Sequence, residues 1–244
     1  MTYTYIGDYM KVFTITKKEI VLFVCFATCI CGIIFASVNA TIQTNATPAT
    51  NKTVILDAGH GIPDYGTESE SGTTEQELNL AITLKLQQLL EQSGTKVVLT
   101  RSDDNGIYEV DKDSIRAKKI SDMKNRVYIG NNSNADIYVS IHMNYYTDSQ
   151  YSGWQTFYQS KNEKSKKIAN IIQQSLNENI GQNKRVPMAI KGAYIMDKVK
   201  IPAVIVECGF LSNKSDEKKL KTAEYQSKLA WGIYVGIQKY FVEE

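Results

Sequence analysis

The sequence predicts an α/β fold, in which a mixed, largely parallel sheet is flanked by helices on both faces. Short runs rich in Val, Ile and Leu alternate along the chain with longer segments that repeat apolar residues every three or four positions. Strands that alternate with helices in this way favour parallel pairing, with the helices as crossovers. The length of 244 residues suits one main domain with an extension.

Five strands are predicted, each from a short apolar run that is rich in β-branched or aromatic residues. In chain order these runs read TVIL, KVVLT, DIYVSI, GWQTFY and AVIV. Runs of this length, bounded by turns or by polar residues, are typical of strands that are buried in a sheet. They cover residues 53–56, 96–100, 136–141, 153–158 and 203–206.

Four helices are predicted from the spacing of apolar residues. In the first, Leu78, Ile82 and Leu86 recur at intervals of four, and Ser93-Gly94 provides a stop. The second is mostly polar with spaced apolar positions, the third is amphipathic, and the last precedes the carboxyl terminus. The four helices cover residues 75–92, 114–134, 161–180 and 214–241.

The amino-terminal segment predicts contact with a membrane. Residues 20–38 are nineteen consecutive uncharged residues, about the length of helix that spans a bilayer. Lys17 and Lys18 precede this run, so the positive-inside rule places residues 1–19 in the cytoplasm and the main domain outside. Val38-Asn39-Ala40 is similar to a signal-peptidase site, so the protein is either anchored or secreted. Residues 39–52 form a polar linker, and the main domain covers residues 53–244.

The charge balance argues against nucleic acid as a partner. The chain carries 28 Lys and Arg against 26 Asp and Glu, a net charge of +2. A nearly neutral chain lacks the basic stripe that releases counterions from a phosphate backbone.

The two histidines of the chain predict a metal site. His60 and His142 each come after a predicted strand, and the carboxyl ends of parallel strands meet at one edge of a sheet. Neutral imidazole is a preferred ligand of zinc. A third ligand is expected from the acids after His60, and spacing alone does not choose among them. The candidates are Asp64, Glu68, Glu70, Glu75 and Glu77.

Two of these carboxylates also have a structural interpretation. Glu75 and Glu77 open a predicted helix, where negative charge interacts favourably with the helix dipole. Glu207 follows the apolar run IPAVIV, and a carboxylate at such a position is costly unless it is paired or functional. Glu207 is therefore either a salt-bridged structural acid or a general base that activates water.

Five blocks in order resemble the zinc-dependent N-acetylmuramoyl-L-alanine amidases of the amidase-3 type. The blocks are VILDAGHG, TTEQELNLAITLKL, TR, ADIYVSIHMN and IPAVIVECGFLSN, and the resemblance covers about residues 53–241. It implies that His60, Glu75 and His142 bind one Zn²⁺ ion and that Glu207 is the catalytic glutamate. The implied substrate is peptidoglycan, cleaved between the muramoyl lactyl group and L-alanine.

Other residues acquire expected roles from the same resemblance. Arg101 and Arg126 match recurring basic positions of the family, and we expect both to pair with acids near the sheet. Asn144, Tyr145 and Trp154 are candidate substrate contacts near the second histidine. The aromatic residues there would stack on sugar rings or dock a partner, or are ordinary half-buried loop residues.

The block KGAYIMDKVKIPAVIVECGFLSN is similar to the spore-cortex, germination-specific branch of the family. This likeness implies a role in cortex maturation, in which a partner deacetylase completes muramic-δ-lactam. It also implies an extracytoplasmic location, such as the space between the two forespore membranes. An accessory protein that regulates activity or zinc retention is a further expected partner.

Two other functions remain as alternatives at this point. Another zinc-dependent wall peptidase or carboxypeptidase would use the same metal ligands on a different bond. A non-catalytic wall-binding module on the same fold is also conceivable, although such a module usually loses its ligands or its base. All four residues, His60, Glu75, His142 and Glu207, are present.

Overall fold

A computed structural model describes the backbone of residues 16–39 and 47–243, and the side chains of residues 16–30 and 47–243. The chain divides into two units, one up to residue 45 and the other from residue 46 onward. Most of the predicted cytoplasmic segment 1–19, and much of the predicted linker 39–52, lie outside the described residues.

The first unit contains helix α1 (Lys17–Asn39), which coincides with the membrane span predicted at residues 20–38. Within the described part of the chain, no helix is both long and apolar enough to cross a membrane.

A six-stranded sheet organises the second unit, and its strands follow the spatial order β2-β1-β3-β6-β4-β5. The first four in this order are mutually parallel, β4 runs antiparallel to β6, and β5 is parallel to β4. The prediction of a mixed, largely parallel sheet is therefore confirmed. The strands are β1 (Thr53–Ala58), β2 (Lys96–Leu99), β3 (Ile137–Asn144), β4 (Gln155–Gln159), β5 (Met188–Ile190) and β6 (Ala203–Phe210).

Helices cover both faces of the sheet, because alternate side chains of each buried strand point to opposite sides. One face packs against α2 (Glu75–Gln92), α4 (Glu163–Ile180) and α7 (Ala223–Val242), in a core that includes Leu56, Val139 and Val206. The other face packs against α3 (Ile115–Asn132) and α5 (Tyr194–Lys198), in a smaller core around Tyr138 and Met196.

The last predicted helix is two helices, α6 (Lys214–Leu220) and α7. The side chain of Asn213 accepts hydrogen bonds from the N–H groups of Ser215 and Asp216, so it caps the start of α6. Thr222 accepts one from the N–H of Tyr225 and caps the start of α7. The sequence pattern also misses the three-residue strand β5 and the five-residue helix α5.

The extension of β3 and β6 beyond their predicted ends positions the site. Strand β3 continues to Asn144 and β6 continues to Phe210. His142 and Glu207 therefore lie within strands, near their carboxyl ends, rather than after them.

Candidate metal centre

A row of three side chains crosses the sheet near the carboxyl ends of β3 and β6. His142 pairs with Glu207 in the register of these parallel strands, and Glu207 pairs with Gln155 of the antiparallel strand β4. Residues that lie opposite each other on neighbouring strands project to the same face. This face also carries Tyr138 of the smaller core, so the row lies on the side of the sheet that α3 and α5 cover.

His60 stands in the turn that follows β1, with a left-handed backbone (φ 63°) that is uncommon for a residue with a Cβ. Two buried arginines and one amide hold this turn through its carbonyl groups. Arg101 donates to the carbonyls of Ala58 and Gly59 at 2.8 and 3.0 Å, and Asn79 donates to Gly59 at 3.1 Å.

Arg126 of α3 donates to the carbonyl of Ala58 at 2.8 Å and also to that of His60. Its charge is balanced by the carboxylates of Asp57 and Asp122, which both accept hydrogen bonds from it. The expected pairing of Arg126 with acids is therefore confirmed. Arg101 differs from its prediction, because its partners are backbone carbonyls rather than carboxylates.

Asp57 is the charged centre beneath the turn and is fully buried at the end of β1. Burial alone would raise the pKa of its carboxyl. The positive charge of Arg126 and the hydroxyl groups of Ser140 and Thr100 outweigh that effect and lower the pKa to about 2. The Asp57–Arg126 pair thus stays ionised and fixes the turn that carries His60.

Two glycines make room for the side chains of His142 and Glu75 at close range. A Cβ on Gly59 would lie 2.3 Å from the ring of His142, and a Cβ on Gly66 would lie 2.5 Å from Glu75 Oε2. A heavy atom does not fit at such distances, so both positions exclude a larger residue.

Glu75, the first residue of α2, brings its carboxylate between the two imidazoles. Its Oε1 lies 3.2 Å from His60 Nε2 and 2.9 Å from His142 Nδ1. Its Oε2 accepts hydrogen bonds from the N–H and the hydroxyl of Thr67 at 2.9 and 3.1 Å. The N–H of Met143 also donates to Oε1, so the carboxylate is held on both of its oxygens.

The three side chains fit a zinc ion of the catalytic type. Ligand atoms of His60, Glu75 and His142 all lie within 4.8 Å of one another. Two imidazole nitrogens and one carboxylate oxygen are a donor set that binds Zn²⁺ and leaves a position open for water. Of the five acids that follow His60 in the sequence, the structure brings Glu75 into this cluster.

Asp64 contacts the far side of His60 and does not join the cluster. Its Oδ2 lies 2.9 Å from His60 Nδ1 and 3.0 Å from Nζ of Lys119 on α3. Burial lowers the pKa of His60, but hydrogen bonds to Asp64 and Glu75 outweigh burial and raise it to about 9. A carboxylate behind a ligating histidine fixes the orientation and tautomer of its ring.

Glu207 is half-buried beside the cluster, and its Oε2 is a buried atom with no hydrogen-bond partner in the described part of the chain. Burial raises the pKa of its carboxyl to about 7. The positive charge of His142 opposes this rise, and the negative charge of Glu75 adds to it. No lysine or arginine forms a salt bridge with Glu207 among the described residues, which disfavours the structural interpretation of this acid.

The three candidate substrate contacts occupy different environments. Tyr145 is 44% exposed and follows β3 directly. Asn144 is half-buried, and its side-chain oxygen accepts a hydrogen bond from the N–H of Tyr145. Trp154 lies in the larger core and donates from Nε1 to Asn177 at 2.9 Å.

The position of Trp154 corrects its prediction as a stacking surface. Trp154 directly precedes Gln155 in the strand direction, so its ring turns to the face opposite Glu207. The pattern of aromatic residues in the sequence did not reveal this alternation. Asp64 was one of several possible ligands in the sequence, and Gln155 carried no signal before its pairing with Glu207 was known.

The fold and this cluster of two imidazoles and two carboxylates agree with the protein family that the sequence matches. The family profile of N-acetylmuramoyl-L-alanine amidases, Amidase_3, matches residues 54–239. The chain belongs to this family, and the family assigns to it N-acetylmuramoyl-L-alanine amidase activity on peptidoglycan.

Individual relatives show which branch of the family the chain resembles. The chain is 34% identical to the germination-specific N-acetylmuramoyl-L-alanine amidase of Bacillus subtilis (strain 168), over 81% of this chain and 83% of that protein. It is 44% identical to the CwlD amidase from Clostridioides difficile, solved in complex with the GerS lipoprotein. That match has a TM-score of 0.78 and covers 80% of this chain and 100% of the solved one. These similarities confirm the resemblance to the germination-specific branch.

A third comparison concerns the catalytic domain alone. The catalytic domain of the amidase CwlV from Bacillus (Paenibacillus) polymyxa var. colistinus is 33% identical, with a TM-score of 0.67. The match covers 79% of this chain and 99% of that domain.

Proposed function

We propose that this chain is a zinc-dependent amidase that cleaves the bond between the lactyl group of N-acetylmuramic acid and L-alanine of the stem peptide. The convergence of His60, Glu75 and His142 within 4.8 Å, one strand from Glu207, carries this proposal. The donor set matches a metal ion that hydrolyses amides, and the neighbouring carboxylate supplies the acid–base group that such hydrolysis needs.

The metal ligands and their supports have separate tasks. His60 and His142 would hold a Zn²⁺ ion through ring nitrogens, and Glu75 through Oε1, while Thr67 holds the other carboxylate oxygen. The ion would supply Lewis-acid chemistry for the amide carbonyl and lower the pKa of a water molecule. Asp64 orients the ring of His60 by contact with Nδ1.

Glu207 moves the proton. Its Oε2 makes no hydrogen bond to the described residues and is therefore free to accept a proton from the attacking water. The same carboxyl then donates that proton to the nitrogen of L-alanine, so that the peptide leaves as an amine. Its position opposite His142 in the strand register supports this role, because Glu207 then lies beside the residues that would hold the metal.

The biological setting is inferred from the relatives. A 34% identical protein is named as germination-specific, which supports a role in preparing spore cortex for muramic-δ-lactam formation. A deacetylase would act on the product, and the reaction would take place outside the cytoplasmic membrane. The solved relative is bound to a lipoprotein, which supports an accessory protein as a further partner.

Replacement of the base tests this assignment of roles. Glu207→Gln should retain zinc and lose hydrolysis by about 10²–10⁴-fold, because the ligands remain while the proton acceptor is gone. His142→Ala should lose zinc and activity together. Zinc content by atomic emission and release of peptide from peptidoglycan are the two measurements. Turnover that survives in Glu207→Gln would remove Glu207 from the mechanism.

A further inference from the structure

An arginine without an acidic partner lies at the end of the row formed by His142, Glu207 and Gln155. Arg185 Nη1 donates to Gln155 Oε1 at 3.2 Å, and its Nε donates to the carbonyl of Ser152 at 3.0 Å. Because Gln155 pairs with Glu207 across β4 and β6, this contact puts the guanidinium on the catalytic face of the sheet. Gln155 therefore separates the guanidinium from Glu207 along this row of side chains.

The guanidinium is held in place by aromatic rings rather than by a salt bridge. It lies 4.3 Å from the centre of the Phe210 ring and 5.5 Å from that of Tyr151. Among the described residues no carboxylate forms an ion pair with it, and both of its hydrogen-bond acceptors are neutral. A half-buried, pre-oriented guanidinium with free N–H groups is suited to bind a carboxylate in a two-pronged geometry.

Arg185 also lines a cavity of about 680 Å³ at the end of β4, a volume that suits a small ligand. Trp154 of the larger core lines this cavity as well, so Arg185 stands between the cavity and the face of the sheet that carries Gln155 and Glu207. Lys184 and Lys219 line it as well, and Lys184 forms no ion pair with any described residue. The acid of this cavity, Asp216, accepts hydrogen bonds from the N–H groups of Gly153 and Phe210 and lies 3.8 Å from Lys219 Nζ. The remaining charge of the cavity is therefore positive.

The proposed substrate carries an anion at a suitable distance. The glycan is neutral at this point, whereas the stem peptide continues after L-alanine with a γ-linked D-glutamate whose α-carboxylate is free. An extended chain rises about 3.3–3.6 Å per residue. This second residue therefore lies roughly 7–10 Å from the scissile bond, far enough to extend past Gln155 toward the guanidinium that contacts it.

We propose that Arg185 and the cavity beside it form the subsite that recognises the α-carboxylate of the second stem-peptide residue. Arg185 is then a specificity-determining residue, and the peptide passes the end of β4 to reach it. This inference rests on the proposed amidase function. It adds that the enzyme recognises the second residue of the stem peptide.

Two muropeptides that differ only in this carboxylate test the subsite. One carries the free acid at the second residue and the other carries the amide in its place. The full chain with zinc should cleave the acid with a kcat/KM about 10- to 100-fold higher than the amide, the usual effect of a charge-assisted hydrogen bond. Arg185→Gln should remove this preference by slowing only the acid, and Arg185→Lys should retain part of it.

A matched control is Lys191→Gln, which removes an exposed charge outside the lining of the cavity and should leave the preference at or near that of the wild type. Equal cleavage of both substrates by the wild type would overturn the subsite, as would an Arg185→Gln variant that slows both equally. Cleavage of neither substrate would overturn the proposed function instead. Calorimetric binding of the free acidic peptide, strong in the wild type and weakened in Arg185→Gln, measures recognition without turnover.

Discussion

The ring of His60 has two nitrogen atoms with different neighbours, and this asymmetry decides which of them faces the metal. Nε2 lies 3.2 Å from Glu75, whereas Nδ1 lies 2.9 Å from Asp64. Asp64 is in turn held by Lys119 at 3.0 Å. The carboxylate of Asp64 therefore selects the tautomer that keeps Nε2 free for the metal.

Asp64→Asn should weaken zinc binding by about 10- to 100-fold, because the ring of His60 loses the acceptor that orients it. Competition with a chelator of known affinity measures this change directly. Asp113→Asn is the control, since Asp113 is exposed and contacts neither histidine. Equal zinc affinity in Asp64→Asn and the wild type would show that the ring is oriented by the backbone turn alone.

The sequence alone predicts some individual residues of the site and does not identify others. His60, His142 and Glu207 stand out because each comes at or near the end of an apolar run. Glu75 could not be separated from its neighbours by spacing, because the choice depends on how the loop 59–74 folds back. Only the resemblance to the family selects it. Arg185 gave no signal, since it acts through a pairing of strands that are distant in sequence.

Helix α6 supports the loop that leads into α2. Glu217 Oε1 accepts hydrogen bonds from the hydroxyl groups of Ser69 and Thr73, at 2.7 and 2.9 Å, and from that of Ser71. This loop ends at Glu75, so a carboxylate on one element fixes the start of another.

Glu217→Ala should lower the free energy of unfolding by about 2 kcal/mol, because three hydroxyl groups lose a charged acceptor. Glu217→Gln should cost less, since the amide oxygen still accepts. Urea denaturation measures both variants, with Glu224→Ala as the control. Glu224 is exposed and pairs with Lys228 of the same helix, so its loss should change the free energy of unfolding far less than the loss of Glu217. A Glu217→Ala variant as stable as this control would contradict the role of Glu217 in holding the loop before α2.

At the scale of elements, length decides what the sequence can predict. The long helices α2, α3 and α4 and the buried strands β1 and β3 show clear periodicity and match their predictions within a few residues. Strand β5 and helix α5, with three and five residues, are too short to show a period. The boundary between α6 and α7 is missed because apolar spacing continues through Thr222, whose role as a cap depends on geometry.

The whole domain depends on a charged pair buried under its catalytic turn. Arg126 joins α3 to the end of β1 through Asp57, and both side chains are at most 1% exposed. The pKa of Asp57 is lowered to about 2, below its value in an unfolded chain. Ionised Asp57 therefore stabilises the fold above about pH 4, and this contribution is lost as pH falls toward 2.

Urea unfolding between pH 6 and pH 2 should reveal this dependence. The wild type should lose about 2 kcal/mol that is attributable to Asp57 across the window from pH 4 to pH 2. Asp57→Asn should be less stable at pH 6, because the buried Arg126 loses one of its two carboxylate partners and keeps only Asp122, and its stability should fall less between pH 4 and pH 2. Parallel curves for the two proteins would contradict a lowered pKa for Asp57.

The class of fold follows from the alternation of strands and helices, whereas the order of the strands does not. Apolar runs do not state which strand lies beside which, so the antiparallel insertion of β4 next to β6 is visible only in the structure. That insertion places Gln155 beside Glu207 and turns Trp154 into the core. The positions of Gln155 and Trp154 relative to Glu207 therefore depend on the order of the strands in the folded sheet.

Mass spectrometry of the fragments released from peptidoglycan by the full chain with zinc tests the central claim most directly. We predict free peptides that begin with the amino group of L-alanine, together with glycans that keep an intact lactyl carboxylate. The same digestion with Glu207→Gln should release neither. Peptides that remain attached to muramic acid but lack a terminal residue would identify a carboxypeptidase and would contradict the assignment of the cleaved bond.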